Sequence, residues 1–239
     1  MIGLDKSPLR NRAAEPWAGA VPAGLWLALT LAGTAALAGT RAGVDFAGVD
    51  FAGHTASADV RRVADWIVES RDNQRAPFAI LDKRDARVFA FDASGRRVDS
   101  SPVLLGSAVG DESVPGIGDR PLAQVRLSER TTPAGRFETE SGRNASGEQV
   151  IWIDYDAAVS MHRVRLGNVT EQRLARLASP DPLQRRISFG CVNLPVKFFD
   201  GVVWPAFGHQ RGVVYVLPET RPLHEVFPAL APETSKRPG

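Results

Sequence analysis

Cysteine is nearly missing from this sequence: Cys191 stands alone among 239 residues. One thiol closes no internal disulfide and builds no four-cysteine zinc cage. Histidine is scarce too. His54, His162, His209 and His224 are scattered, without the close spacing that a metal site needs. Neither sign of charge dominates: Lys plus Arg is 29 against Asp plus Glu 27, a formal charge of +2. Such interspersed charge argues against a dedicated nucleic-acid binder, which carries a concentrated basic face. Compositional skew is also lacking. With 44% hydrophobic, 23% charged and 8% aromatic residues, the chain is not disordered, collagen-like or a coiled coil, and it can bury a core. Gly116-Ile117-Gly118 lacks the rest of a nucleotide fingerprint.

What is present begins with an apolar leader. Pro16 to Thr40 is 25 residues without a formal charge, preceded by Lys6, Arg10 and Arg12. As a helix it would reach about 37 Å at about 1.5 Å per residue, enough for a hydrocarbon layer of roughly 30 Å. The dense part, Leu25 to Leu31, is short, and Ala36-Leu37-Ala38 fits a secretory cleavage site. Residues 1–40 are therefore expected to be a signal peptide or a membrane anchor. The basic end is expected to stay cytoplasmic and the rest to be exported. No cysteine follows the apolar run, which excludes a lipoprotein. Residues 41–56 contain the tandem copy Gly43-Val44-Asp45-Phe46-Ala47 and Gly48-Val49-Asp50-Phe51-Ala52, read as a linker.

One domain is expected over 57–217. Ser57 can cap a helix to about Ser70, with Val60, Val63, Ala64, Ile67 and Val68 at helical spacing. The period then becomes two. Phe78 to Leu81, Arg87 to Phe91 and Val98 to Leu105 read as a meander turned at Asp82-Lys83-Arg84-Asp85 and Asp92-Ala93-Ser94-Gly95. Gly110 to Pro121 reads as an exposed loop, while Val150 to Ile153 and Ala158 to Val164 read as buried strands. Thr170 to Ala178 is expected to be helical with Leu174 and Leu177 on one face, and Pro195 to open a helix carrying Phe198, Phe199, Val202 and Val203. Val213 to Leu217 closes the domain, and the Pro-rich tail 218–239 is expected to be irregular. The class is mainly β with a few helices.

Packing is the commoner use of a lone cysteine. The neighbours of Cys191 favour chemistry instead. Ser188-Phe189-Gly190-Cys191-Val192-Asn193 sets the thiol after a glycine in a polar turn, where adjacent amides can face a developing oxyanion. The helix near Pro195 would add a field favouring thiolate. A thiol nucleophile needs a base. His54 lies in the linker, His224 in the tail and His209 in a loop, whereas His162 has a fixed direction on Val159-Ser160-Met161-His162-Arg163-Val164. Asp154 and Asp156 read as the end of a strand rather than as paired acids.

These residues resemble the L,D-transpeptidase catalytic domain, also called YkuD. Its signature is a histidine followed by Ser/Thr-His-Gly-Cys, a hydrophobic residue and Asn or Arg. The match is His162, then Ser188, Gly190, Cys191, Val192 and Asn193, with the family's Thr-Pro-x-Gly-x-Phe segment at Thr132-Pro133-Ala134-Gly135-Arg136-Phe137. The resemblance runs from about Phe78 to Leu217 and implies an L,D-transpeptidase-like β-sandwich or barrel. Three departures stand out. Phe189 replaces the family's second histidine, Arg163 stands where glycine is frequent, and His162 and Ser188 are 26 positions apart, the excess being Asn168 to Arg186. That insertion costs little closure entropy and is a candidate wall of the active site.

The resemblance implies peptidoglycan stem peptides as the partner and no cofactor. Cys191 would be the nucleophile and His162 its base. Amides at Gly190 and Cys191 would form the oxyanion site, with Ser188 and Asn193 holding the turn and orienting the imidazole or the donor. Asn193 is equally readable as a turn or helix-cap residue. Arg163, Arg165, Arg185 and Arg186 flank the site in sequence as candidates for substrate carboxylates. Two alternatives stay open: an L,D-carboxypeptidase or endopeptidase on the same scaffold, and a non-catalytic wall-binding module. A papain-like protease is excluded by the order of histidine and cysteine.

Overall fold

The structure, a computed structural model, describes residues 56–166 and 169–231. The apolar leader, most of the linker and the last eight residues of the tail lie outside the described residues. Among those described, no helix is long and apolar enough to cross a membrane.

The first element is α1 (Ala58–Ser70). Ser57 Oγ accepts the Val60 N–H at 3.3 Å, and Arg71 stops the helix in the left-handed region at φ 59°. Val60, Val63, Ala64 and Ile67 form its buried stripe, as the spacing predicts. Ser57 Oγ also donates to Asp82 Oδ2 at 2.7 Å, tying the helix start to the first strand.

The meander forms as expected: β1 (Phe78–Asp82), β2 (Arg87–Phe91) and β3 (Arg97–Pro102) pair antiparallel in sequence. Asp82 Oδ1 accepts the N–H groups of Arg84 and Asp85 at 3.0 and 3.2 Å, which bends the first turn. The third strand stops earlier than the pattern suggests. Pro102 can donate no ladder bond, and the chain resumes as β4 (Leu105–Gly106) in a separate pairing. The loop after it is not wholly exposed, because Asp111 and Ile117 are buried.

Two further strands escaped the pattern. β5 (Gly135–Glu138) joins the meander sheet, and β6 (Glu140–Arg143) forms a hairpin with β7 (Gln149–Asp154). β8 (Val159–Arg163) follows as predicted. The 168–186 segment carries α2 (Arg173–Ala178), in which Leu177 is buried and Leu174 exposed, so the two do not share a packed face. β9 (Arg186–Ser188) pairs parallel with β4, and β10 (Val192–Leu194) parallel with β8. A helical run follows from α3 (Val196–Phe198) through a π-turn to α4 (Trp204–Phe207). β11 (Val213–Val216) then enters between β1 and β5.

The result is a five-stranded mixed sheet, β3-β2-β1-β11-β5, and a four-stranded sheet, β10-β8-β7-β6. Alternation along β1 feeds two cores. Ala79 and Leu81 face the second sheet and the 196–207 helix, while Phe78 and Ile80 face α1. Burial on both faces explains why β1, β2 and β11 read as continuous apolar runs.

The tail expectation is corrected. Beyond Pro218 the chain forms α5 (Leu223–Val226) and a final 3₁₀ turn, and Leu223, Phe227 and Leu230 pack into the α1 core. Prolines there start helical turns rather than leave the segment irregular.

Candidate functional site

The site is built by strand register. β10 lies parallel to β8 with Asn193 opposite His162 and Val192 opposite Met161. Side chains alternate across a strand, so Ser160 and His162 share one face with Cys191 and Asn193. Met161, Val192 and Leu194 point the other way into the core. The polar quartet is therefore a consequence of one parallel pairing.

Cys191 is a free thiol of intermediate exposure. Its Sγ sits 3.8 Å from Ser160 Oγ and 3.5 Å from the Ala158 carbonyl. His162 Nδ1 lies 2.8 Å from the Arg163 carbonyl oxygen. A carbonyl only accepts, so Nδ1 carries the proton and Nε2 keeps its lone pair. Nε2 is 3.4 Å from Asn193 Nδ2, and the Cys191 thiol interacts with the same ring. Burial alone would raise the thiol pKa, but the His162 ring and the Ser160 backbone and hydroxyl outweigh it and hold the thiol below its ordinary value. For His162, burial pulls downward, while Cys191 and the Arg163 carbonyl carry it above the usual imidazole range. Both shifts favour a thiolate beside an imidazolium.

The cysteine turn is pinned from three sides. Gly190 has φ +135°, and a Cβ there would stand 2.7 Å from the Thr131 carbonyl oxygen, so only glycine fits. Thr132 Oγ1 donates to the Gly190 carbonyl at 2.8 Å and accepts the Gly106 N–H at 3.0 Å. Thr132 of the Thr-Pro segment thus fastens the turn. Ser188 Oγ donates to the Cys191 carbonyl at 2.6 Å and accepts the Gly190 N–H at 3.1 Å. These two bonds close the turn on the Ser188 side chain. The Gly190 amide is consequently spent on Ser188 rather than turned toward a substrate.

Other expectations change as well. Strand β10 separates Cys191 from the helix, so no helix end faces the thiol. Asn193 is a strand residue, 1% exposed, and caps nothing. The four flanking arginines are all engaged elsewhere. Arg163 pairs with Asp200, Arg165 with Glu148 and Arg186 with Glu219, while Arg185 donates to the carbonyls of Asp85 and Ser179. Phe189 is half-exposed, with the Arg130 guanidinium 3.8 Å from its ring centre. Three residues went unnoticed in the sequence: Ser160, legible as the same-face neighbour of His162; Thr132 as a turn clamp; and Arg173, which has no local signal.

The fold is a mixed-sheet architecture with few helices. No protein-family model matches the chain, and no curated protein is detectably similar to it. Among solved structures it resembles the catalytic domain of the E. faecium L,D-transpeptidase (16% identity, TM-score 0.35, 60% of this chain and 98% of that one). It also resembles the helical cell shape determining protein Pgp2 from Campylobacter jejuni (15% identity, TM-score 0.40, 65% and 55%). A third is the L,D-transpeptidase from Mycobacterium smegmatis (14% identity, TM-score 0.34, 59% and 58%). The chain thus matches under two thirds of the length of the last two.

Proposed function

We propose that this protein is a cysteine-dependent L,D-transpeptidase acting on peptidoglycan stem peptides. The supporting observation is the strand register that sets His162 on the same face as Cys191, with His162 Nδ1 held by the Arg163 carbonyl so that Nε2 keeps its lone pair. In this reading His162 Nε2 takes the thiol proton, and Cys191 Sγ attacks the carbonyl of the third stem residue. The bond to the terminal D-alanine breaks, its amine receiving the proton, and a thioester remains. An acceptor amine then attacks the thioester, gives its proton to His162, and the C–S bond breaks to restore the thiol. The Cys191 amide serves the oxyanion, and Ser188, Gly190 and Asn193 hold the turn and the imidazole. The segment before residue 41 serves as exporting leader or inner-membrane anchor, and the reaction runs on the periplasmic side.

Intact-protein mass spectrometry with a carbapenem tests the acyl-enzyme. An adduct on the wild type that disappears in Cys191→Ala is expected; no adduct, or an equal adduct on the variant, refutes it. Incubation with a tetrapeptide stem, with and without an acceptor amine, separates cross-linking from hydrolysis.

A further inference from the structure

The 168–186 insertion sends one side chain back to the site. Arg173, from the first turn of α2, donates through Nη1 to Asn193 Oδ1 at 2.5 Å and through Nε to Glu171 Oε2 at 2.5 Å. Its side chain is only 17% exposed. The other end of the same amide, Asn193 Nδ2, faces the Cys191 carbonyl at 3.2 Å and His162 Nε2 at 3.4 Å. A guanidinium only donates and a carbonyl only accepts. Both neighbours therefore assign the amide the same way round, with its N–H₂ toward the imidazole.

We propose that Arg173 is a positioning residue: by holding Asn193 Oδ1 it aims Asn193 Nδ2 at His162 Nε2 and brings a fixed positive charge to the edge of the thiol–imidazole pair. This rests on the proposed function. A cation on the carbonyl oxygen polarises the amide and makes its N–H₂ a stronger donor. The donor meets Nε2 while that atom is a base and opposes it once protonated, so the imidazole returns its proton more readily. The guanidinium charge also favours thiolate over thiol. Among the described residues, Arg165 and Glu148 also act on the ring and pair with each other, and Glu171 pairs with Arg173. Loss of the cation therefore moves both protonation steps in one direction, toward higher pH. The insertion, external to the sheets, in this way supplies a component of the site that neither strand carries.

The test uses the full-length protein, its Arg173→Gln and Arg173→Lys variants, and iodoacetamide alkylation of Cys191 followed by mass spectrometry across pH, with circular dichroism to verify folding. In Arg173→Gln the acid limb of the alkylation profile is expected to rise by about half a pH unit or more, with Arg173→Lys nearer the wild type. An acid limb unmoved in Arg173→Gln overturns the proposal, whether or not the rate falls, because a merely structural role lowers the rate without shifting the limb. Alkylation needs no peptidoglycan chemistry. A wild type that gives a low-pH limb but no carbapenem adduct refutes the transpeptidase reading while the Arg173 comparison still decides this one.

Discussion

At the scale of single residues, the site depends on which atom each group presents. The Arg163 carbonyl occupies His162 Nδ1, which leaves the lone pair on Nε2, as the proposed base role requires. The imidazole is raised and the thiol lowered, each chiefly by the other, so the pair shifts toward thiolate and imidazolium. Alkylation of Cys191 is accordingly expected to remain fast below the ordinary thiol pKa of about 8.5 and to fall only as pH drops through the depressed value. His162→Ala returns that limb toward the ordinary range and reduces carbapenem acylation roughly 10²–10⁴-fold, measured by adduct formation over time. Gly190→Ala is expected to abolish acylation, since its methyl group would meet the Thr131 carbonyl in a backbone conformation closed to alanine.

At the scale of elements, a buried charge cluster holds the turns around the site. Lys83, in the β1–β2 turn, is 0% exposed and spends its three donors on Gly110 O, Asp111 Oδ1 and Thr132 O at 2.6, 2.7 and 2.9 Å. Asp111 also accepts the N–H groups of Glu219, Thr220 and Arg221. One ion pair thus joins the meander turn, the 107–130 loop, the clamp Thr132 and the start of the tail. Burial would raise the Asp111 carboxyl, but Lys83 and the Thr220 bonds hold it far below the usual range. A depressed carboxylate contributes stability above its unfolded pKa of about 3.9, and that contribution is lost as pH falls toward the folded value. Asp111→Asn is expected to lose roughly 3–5 kcal/mol at neutral pH, with the gap to wild type narrowing below about pH 3.9, as read by urea unfolding at both pH values. The short strands β4, β9 and β10 were illegible beforehand because two or three residues show no period; each exists only because a neighbouring strand offers its edge.

At the scale of the whole molecule, the five-stranded sheet is covered on both faces, and the second cover includes the C-terminal turns. Phe227 is 3% exposed and touches Trp66 of α1 and Tyr215 of β11, with ring centroids 6.3 Å apart in both pairs. Phe227→Ala is expected to cost about 3–5 kcal/mol, seen as a lower urea midpoint at an unchanged slope. If the tail were an appendage, the midpoint would not move. The long apolar elements, α1, β1, β2, β7, β8 and β11, could be read from the chain because their periodicity matches one or two buried faces. So could the cysteine turn and its histidine, each carried by residues adjacent in sequence. Register, by contrast, is a relation between strands far apart along the chain. Register set Asn193 opposite His162, and tertiary packing drew the flanking arginines into other pairs. It also let Arg173 reach the site from an external loop, because packing decides side-chain partners that local pattern leaves open.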